Sequence, residues 1–190
     1  PTNPSDMDIE IRPINLPSPT DFKAPALALD HLTWLKRESV KHNLTTVPEG
    51  DWLVRHVMDS LVPAIAGWEI GARFLDLGTG AGFPGIPLAA QFPKATFTLL
   101  EKKKKTVRIL SEFLEGASLS SRGEAVSERA ETLARDTDHR GKYDVVTVRA
   151  LAALPVLVEL GIPLLKTGGE LWLWKSDLSE LQKSENAFKE

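Results

Sequence analysis

The residues with the clearest capacity for chemistry are the glycines of FLDLGTGAGFPG, residues 74–85. Gly78, Gly80 and Gly82 are separated by one residue each, and the segment lies between a predicted strand and a predicted helix. Glycine is costly in regular structure, but it lets a backbone turn tightly and approach a ligand closely. The pattern therefore predicts a nucleotide-binding loop. The alternative is a tight strand–helix turn that binds nothing.

Two carboxylates beside this loop indicate which nucleotide it binds. Asp76 ends the first strand, and Glu101 ends the second, where a carboxylate accepts hydrogen bonds from ribose hydroxyls. A dinucleotide loop has the spacing G-x-G-x-x-G and offers helix N–H groups to a pyrophosphate. The spacing G-x-G-x-G and the acid at Asp76 favour a cationic ligand without phosphates, S-adenosylmethionine (SAM), over NAD. The alternative for Glu101 is an ion pair with the lysines that follow it.

A second group of polar residues precedes the loop. His56, Asp59 and Ser60 have the spacing of one helix face, and Arg55 is adjacent. We expect this face to pack over the SAM pocket or to position RNA; the alternative is a polar pair that joins two parts of the fold. The four histidines lie far apart in the sequence and there is no cysteine, so we predict no metal site.

The charge distribution limits how a nucleic acid could bind. The net charge is −3, so an RNA partner must meet a local basic patch. The run Lys102–Lys105, with Arg108 one helical turn further on, is the only basic cluster in the sequence. It begins beside the predicted ribose site and is therefore a candidate contact for RNA phosphates. The alternative is an ordinary solvated helix face.

Hydrophobic periodicity predicts the elements that must position these residues. Two helices, 26–42 and 51–67, come first, and strands and helices alternate from residue 73 onward. Alternation of this kind predicts a doubly wound parallel α/β sheet, Rossmann-like, beneath an N-terminal helical cap. We divide the chain into a proline-rich arm (1–25), the cap (26–67) and the core (68–190). The remaining predicted elements are strands at 95–100, 143–150 and 168–176, a weak strand and turn at 123–133, and helices at 85–92, 102–116, 151–165 and 177–190.

Several segments, in order, resemble the bacterial GidB/RsmG family of 16S rRNA guanine-N7 methyltransferases. DLGTGAGFPGIPLA resembles its first motif, and HNLTTV and LVRHVMDSL resemble its N-terminal helical signature. FTLLEKKKKTVRIL, ERAETL, YDVVTVRALAAL and LWLWKS resemble the segments that follow. The similarity extends from about residue 27 to residue 180. An ordered set of this length is much more specific than a glycine motif alone.

The resemblance implies methyl transfer from SAM to N7 of a guanosine in a decoding-region loop of 16S rRNA, free or in the small ribosomal subunit. N7 carries a lone pair and no proton, so direct in-line attack needs no general base, and orientation is the main source of rate. The base is expected to leave its stack. The alternatives are a SAM-dependent enzyme acting on another RNA, a protein or a small molecule, and a nucleotide- or RNA-binding protein without catalysis.

The resemblance also assigns roles by position. Arg149 follows the fourth strand and is the expected substrate-positioning residue, through O6 or a phosphate; the alternative is a structural ion pair. Lys175 and His56 are weaker candidates for positioning the substrate, and Lys175 could equally be solvated. Asp76 is expected to orient the SAM ammonium group or the loop itself. The full set of expected SAM contacts is Asp76, Gly78, Thr79, Gly80, Ala81, Gly82, Phe83, Glu101, Ala130, Glu131 and Arg149; the alternative for Ala130 and Glu131 is an ordinary capped turn.

The chain departs from the family pattern at its ends. The family's domain ends with two more strands, whereas this chain stops about 15 residues after Lys175 and begins at Pro1 without a methionine. We therefore expect sequence to be absent at both ends and the C-terminal edge strands to be missing. No signal peptide or membrane-spanning run is evident, which favours a cytoplasmic protein. We expect a monomer.

Overall fold

The computed structural model describes residues 16–149 and 153–174. Within these residues, five strands form one parallel sheet in the order β3-β2-β1-β4-β5. The strands are β1 (Arg73–Leu77), β2 (Thr96–Leu100), β3 (Gly123–Val126), β4 (Tyr143–Arg149) and β5 (Leu165–Trp174). The α-helices are α1 (Ala26–His42), α2 (Val62–Ile65), α3 (Gly85–Gln91), α4 (Lys104–Gly116), α5 (Ala130–Leu133) and α6 (Leu154–Gly161). The doubly wound sheet predicted from the alternation is confirmed.

The order of the strands places a switch point between β1 and β4. The chain runs outward from β1 to β2 and β3, then returns to pair β4 with the other side of β1. The register aligns Asp76 with Thr147 across this junction. In doubly wound sheets, ligands bind beyond the carboxyl ends of the strands at such a point.

The sheet separates two apolar layers. Successive strand residues face opposite sides, so Phe74 joins the layer with α1, α3 and α4, while Leu75 and Leu77 join the layer with α5 and α6. The N-terminal helices belong to the first layer, where Leu35 and Val57 are fully buried. The cap is therefore packed onto the face of the sheet that carries the glycine loop.

The first helix has the predicted bounds, but its predicted face is wrong in part. Helical spacing predicts a buried stripe of Leu29, Leu32 and Leu35; Leu29 is instead 46% exposed, and the buried stripe includes Ala28 and His31 with Leu35. Because a histidine occupies one of the buried positions of the helix, a prediction from apolar residues alone misplaces the buried face.

The single helix predicted over 51–67 is wrong. The chain forms a short 3-10 turn at Glu49–Asp51, a turn of π-helix at Leu53–Met58, and then α2. Pro63 has no backbone N–H, so an uninterrupted helix would lose a hydrogen bond there. Single π turns occur frequently at functional sites.

The chain after β4 also differs from the prediction. The described part of the predicted helix 151–165 ends at Gly161, passes through a 3-10 turn at Ile162–Leu164, and β5 begins at Leu165, ahead of the predicted residue 168. Residues 16–25 of the predicted arm are described, and Phe22 packs against the first apolar layer rather than lying free of the core. The rest of the arm, Lys175 and the predicted C-terminal helix lie outside the described residues. The division of the chain at residue 67 stays a prediction.

Candidate functional site

The glycine loop leaves β1 and is anchored to the neighbouring strand by its backbone. Gly78, Gly80 and Gly82 have φ angles of +73°, +55° and +95°, which favour glycine. The backbone N–H groups of Gly78 and Thr79 donate to the carbonyl oxygen of Leu100 at 2.9 and 3.0 Å. The loop is therefore a fixed turn between β1 and α3.

Asp76 holds this loop from below. Its side chain is fully buried; Oδ2 accepts hydrogen bonds from Thr79 Oγ1 at 2.6 Å and Gly85 N at 2.8 Å. Oδ1 accepts one from Thr147 Oγ1 at 3.0 Å, across the β1–β4 junction. Burial raises the pKa of Asp76, and these hydrogen bonds oppose the rise. Of the two roles expected for Asp76, this geometry favours orientation of the loop.

His31 of α1 holds the loop from the side of the cap. Its Nε2 lies 2.8 Å from the carbonyl oxygen of Ala81 and donates to it. The ring is fully buried, and burial lowers its pKa to about 3, so the imidazole is neutral. No motif or spacing in the sequence singles out His31 as part of the site. The buried stripe through Ala28 and Leu35 is the signal that could have placed it inside.

Phe83 lies between two imidazole rings. Its ring centroid is 4.5 Å from that of His31 and 4.4 Å from that of His56, and the His56 ring is nearly parallel to it. The guanidinium carbon of Arg149 lies 5.6 Å from the same centroid. The loop, α1, the π turn and the end of β4 therefore meet around one aromatic side chain.

Arg149 is tied to the π turn and the residue after it. Nη1 donates to Asp59 Oδ2 at 3.1 Å and to the carbonyl oxygen of Arg55 at 3.2 Å, and Nη2 lies 3.3 Å from His56 Nδ1. Burial raises the pKa of Asp59, and the adjacent Arg149 opposes the rise. The structural ion pair that is the alternative role predicted for Arg149 is present, with Asp59 as its partner. It brings together the three polar residues Arg55, His56 and Asp59.

His56 is buried and neutral. Burial, followed by the charges of Arg149 and Arg55, lowers its pKa to about 4. Its Nε2 lies 2.9 Å from Thr45 Oγ1, so both ring nitrogens have partners. The buried hydroxyl of Ser60 donates to the backbone carbonyl of His56. The face predicted from helical spacing thus forms polar contacts that join the cap to β4.

A cavity of about 330 Å³ lies at the switch point. Ligand pockets usually measure about 300–1,000 Å³. Its wall consists of Asn43, Leu44, Thr45, Thr46, Val47, His56, Gly78, Thr79, Gly80, Ala81, Phe83 and Arg149. The structure therefore brings together seven of the residues predicted from the sequence. It adds the segment 43–47, whose part in the wall the sequence analysis missed.

The other predicted residues lie around this cavity rather than in its wall. Glu101 follows β2 on the same edge of the sheet, and its Oε1 accepts a hydrogen bond from Lys103 N at 3.1 Å. Ala130 is buried at the start of α5, with Glu131 exposed beside it. Lys102–Lys105 and Arg108 are exposed around the start of α4. Gly82 and Asp76 support the loop from behind.

Two kinds of feature are absent from the described ranges, 16–149 and 153–174. No three His, Asp or Glu side chains there are grouped as metal ligands would be. No helix there has the length and apolar character needed to span a membrane.

Comparison with known proteins identifies the family. The family described as rRNA small subunit methyltransferase G, GidB, matches residues 26–189. The chain belongs to this family. Two relatives named ribosomal RNA small subunit methyltransferase G are similar to it. The one from Deinococcus radiodurans is 42% identical over 151 residues, and the one from Caldanaerobacter subterraneus is 40% identical over 153 residues. These alignments cover 78% and 79% of this chain but only 59% and 64% of the relatives.

Solved structures confirm the Rossmann-like fold of this GidB family member. A branched-chain polyamine synthase from Thermus thermophilus superposes with a TM-score of 0.62 at 15% identity, over 86% of this chain and 48% of that one. A Staphylococcus aureus structure assigned as a caffeoyl-CoA O-methyltransferase gives 0.54 at 13% identity, over 83% and 79%. At these identities the likeness concerns the fold alone.

Proposed function

We propose that this protein methylates small-subunit ribosomal RNA with SAM as methyl donor, at N7 of a guanosine. Membership of the GidB family supports the reaction class and the RNA. The choice of N7 follows from the resemblance of the sequence to the 16S rRNA guanine-N7 methyltransferases, since the relatives' names do not specify an atom, and the chemistry of the cavity supports it. The chain covers 59% and 64% of the relatives' lengths, so the proposal concerns the activity of the whole protein.

One observation supports the N7 assignment: among residues 16–149 and 153–174, the cavity wall holds no free general base. The titratable side chains that these residues contribute to the wall are His56 and Arg149. His56 uses one ring nitrogen toward Arg149 and the other toward Thr45, and arginine stays protonated. An acceptor atom that carries a proton would need a base to remove it. N7 of guanine carries a lone pair and no proton, so it suits this cavity.

The residues at the switch point fit the donor. SAM, when bound, supplies an electrophilic methyl group. Gly78 and Gly80 present bare backbone to the cavity, and the only non-adjacent atom near the site of a Cβ on Gly80 is the Gly78 carbonyl oxygen, at 4.0 Å. Glu101, at the end of the next strand, is positioned to hold a ribose. Ala130 and Glu131 follow the strand after that and are proposed to lie against the adenine.

Experiments on unmodified subunits test the acceptor. Small ribosomal subunits that lack the modification are incubated with the protein and methyl-labelled SAM, and borohydride reduction with aniline cleavage then maps N7-methylguanosine. The expected result is label at one guanosine, with cleavage at that base. Label on a carbon atom, an exocyclic nitrogen or another base would reject the N7 assignment. Calorimetry should also show binding of SAM and not of NAD.

The part played by Arg149 is tested separately. We propose that it positions the substrate from the rim of the cavity, with Asp59 holding its guanidinium. Arg149→Ala is expected to keep the SAM affinity seen by calorimetry and to lose at least tenfold in transfer rate. Asp59→Asn, which leaves the arginine in place, should lose less. Collapse of SAM binding in Arg149→Ala would instead make this residue a structural tie.

A further inference from the structure

The hydroxyl group of Thr45 has a hydrogen-bonding pattern that its neighbours determine. The backbone N–H of Val47 donates to Thr45 Oγ1 at 3.1 Å. His56 Nε2 lies 2.9 Å from the same oxygen. A threonine hydroxyl has two lone pairs and one hydrogen, so the role of His56 decides which of them remains available.

Arg149 decides the role of His56. Its guanidinium can only donate, so His56 Nδ1, 3.3 Å from Nη2, must accept. The imidazole is neutral, with its pKa lowered to about 4 by burial and by Arg149. Its one N–H is therefore on Nε2 and donates to Thr45 Oγ1. Both lone pairs of that oxygen are then in use, and the hydroxyl can act only as a donor.

Thr45 lines the cavity, and the hydrogen of its hydroxyl has no acceptor among the described residues. Thr45 is half-buried in the wall that also contains Arg149 and the glycine loop. Among residues 16–149 and 153–174, the only polar partners of Thr45 Oγ1 are Val47 N and His56 Nε2, both donors. The hydrogen is thus available to a bound molecule that offers an acceptor atom.

The hydroxyl matches the one atom by which the reacting edge of guanine can be distinguished. On that edge guanine has two acceptors, N7 and O6, whereas adenine has the acceptor N7 and the amino donor N6. N7 must stay free to receive the methyl group, which leaves O6 as the atom to be recognised. We propose that Thr45 is a specificity-determining residue, which donates to O6 of the target guanine and rejects the amino group of adenine. This inference rests on the proposed function.

The other neutral polar side chains in the wall lack this selectivity. Arg149 is also a donor only, but Asp59, the Arg55 carbonyl and His56 hold its guanidinium. The hydroxyl of Thr79 donates to Asp76 at 2.6 Å and is not free. The side-chain amide of Asn43 has both a donor and an acceptor end, so it pairs with either base. The hydroxyl of Thr46 has no described partner to fix its direction and can likewise donate or accept. For Thr45, in contrast, the neighbouring residues Val47 and His56 fix the hydroxyl as a donor.

The test compares base analogues at the mapped position of the RNA. A ligated small-subunit transcript carries guanine, 2-aminopurine or hypoxanthine there. 2-Aminopurine lacks O6 and keeps the 2-amino group, whereas hypoxanthine keeps O6 and lacks the 2-amino group. Single-turnover rates, and RNA affinity with S-adenosylhomocysteine present, are measured for the wild type, Thr45→Val and Thr45→Ser.

The expected result is that Thr45→Val, unlike Thr45→Ser, no longer discriminates between guanine and 2-aminopurine through O6. The wild type should prefer guanine to 2-aminopurine by about 10- to 100-fold, the cost of leaving one donor without its acceptor. Thr45→Val should reduce this preference to the intrinsic difference in N7 reactivity between the two bases, and Thr45→Ser should keep it. The preference of guanine over hypoxanthine should be the same in all three proteins. Because each ratio is taken within one protein, a general loss of activity in Thr45→Val cancels.

Two outcomes separate the possible failures. If the wild type methylates guanosine but Thr45→Val keeps the full preference for guanine over 2-aminopurine, Thr45 does not read O6. If the wild type methylates no guanosine of the small-subunit RNA, the proposed function fails and this inference with it. Thermal unfolding of Thr45→Val checks that the fold is retained.

Discussion

At the scale of single residues, the contacts of Asp76 show how much of a residue's role can be predicted from its position in the sequence. A carboxylate two residues before the glycines suggests a contact either with a cationic ligand or with the loop. The structure buries it completely and surrounds it with three donors. Two of them, Thr79 and Gly85, lie within nine residues of Asp76. The third, Thr147, comes from another strand, and no local pattern predicts that contact.

Asp76→Asn should destabilise the protein although the side chain keeps its shape. With the amide oxygen kept toward Thr79 and Gly85, the NH₂ group faces Thr147 Oγ1, which must then accept from it and donate to the Leu75 carbonyl at 3.4 Å. The donors also lose a charged acceptor, and because hydrogen bonds to charged groups are stronger than neutral ones, we expect the free energy of unfolding to decrease by about 1–3 kcal/mol. Urea denaturation measures it. Asp30→Asn, on the exposed side of α1, is the control and should leave stability unchanged. Equal stability of the two variants would contradict the role given to Asp76.

The lowered pKa values of His31 and His56, on either side of Phe83, predict how the stability of the protein depends on pH. In the unfolded chain a histidine has a pKa near 6.5, whereas in the folded protein the pKa values of His31 and His56 are lowered to about 3 and about 4. Between these limits the unfolded chain binds more protons, so the free energy of unfolding decreases as the pH falls below about 6.5. The buried His31 accounts for a slope of up to about 1.4 kcal/mol per pH unit.

His31→Phe tests this linkage. The substitution keeps an aromatic ring beside Phe83 and removes the titrating group. Urea denaturation between about pH 7 and about pH 4 should show a shallower slope in the variant than in the wild type. The loss of the hydrogen bond to Ala81 lowers stability at all pH values and so does not change the slope. Parallel curves for the two proteins would mean that the pKa of His31 is the same in the folded protein as in the unfolded chain.

At the scale of elements, the geometry of the glycine loop predicts that replacing different glycines by alanine costs different amounts of stability. Gly80 has φ +55°, which other residues can adopt at some cost, and the nearest non-adjacent atom to an added Cβ is at 4.0 Å. Gly82 has φ +95°, and an added Cβ would lie 2.5 Å from Ile86 Cδ1 and 3.0 Å from His31 Nε2.

Gly82→Ala should therefore lose more stability than Gly80→Ala. We expect about 1–2 kcal/mol for Gly80→Ala, the ordinary cost of a left-handed residue, and a larger loss for Gly82→Ala because backbone strain and crowding add to it. Urea denaturation compares the two. Equal losses would mean that Ile86 and His31 both move away from the added methyl group at no cost.

The elements also mark where local sequence stops determining structure. The bounds of α1 follow from composition and periodicity, which act within a few residues. The π turn at Leu53–Met58 does not, because its residues suit an α-helix by themselves. It coincides with the side chain of Ser60 bonding to His56, with Pro63 after it, and with Arg149 bonding the Arg55 carbonyl from another strand. Arg149 lies far away in the chain, and a local pattern cannot include it.

At the scale of the whole molecule, local sequence patterns predict only part of the site, because some of its contacts join residues that are far apart in the chain. The alternation of strands and helices predicts the sheet, and the sheet brings the ends of β1 and β4 together. The contacts that close the cavity come from the cap. Arg149 pairs with Asp59 across 90 residues, and the indole N–H of Trp174 donates to the Asp59 carbonyl across 115. The presence of Gly78, Gly80 and Arg149 at this cavity was therefore predictable, while their roles in binding stay predictions. The role of Thr45 depends on an orientation of cap and sheet that no local pattern encodes.

The charge distribution yields a prediction in which stability and binding change in different directions. The first turn of α4 contains Lys104 and Lys105 and no acidic residue, with Lys103 before it. Cations are unfavourable at the positive end of a helix dipole, so these lysines do not serve the fold. Phosphates of RNA would be favourable there, and a protein with a net charge of −3 has to bind RNA through such a local patch.

Replacing Lys104 and Lys105 together by glutamine should weaken RNA binding without weakening the fold. We expect the unfolding midpoint to stay equal or rise, while affinity for small-subunit RNA falls. The dependence of log K on log salt concentration should become shallower by about 0.7–0.9 for each phosphate that the variant no longer binds. Lys36→Gln is the control and should leave the salt dependence unchanged, because Lys36, on α1, is already paired with Glu49 of the 3-10 turn. If the double variant binds RNA with the wild-type slope, the lysines are a solvated helix face, and the RNA must approach the cavity from the side of the cap.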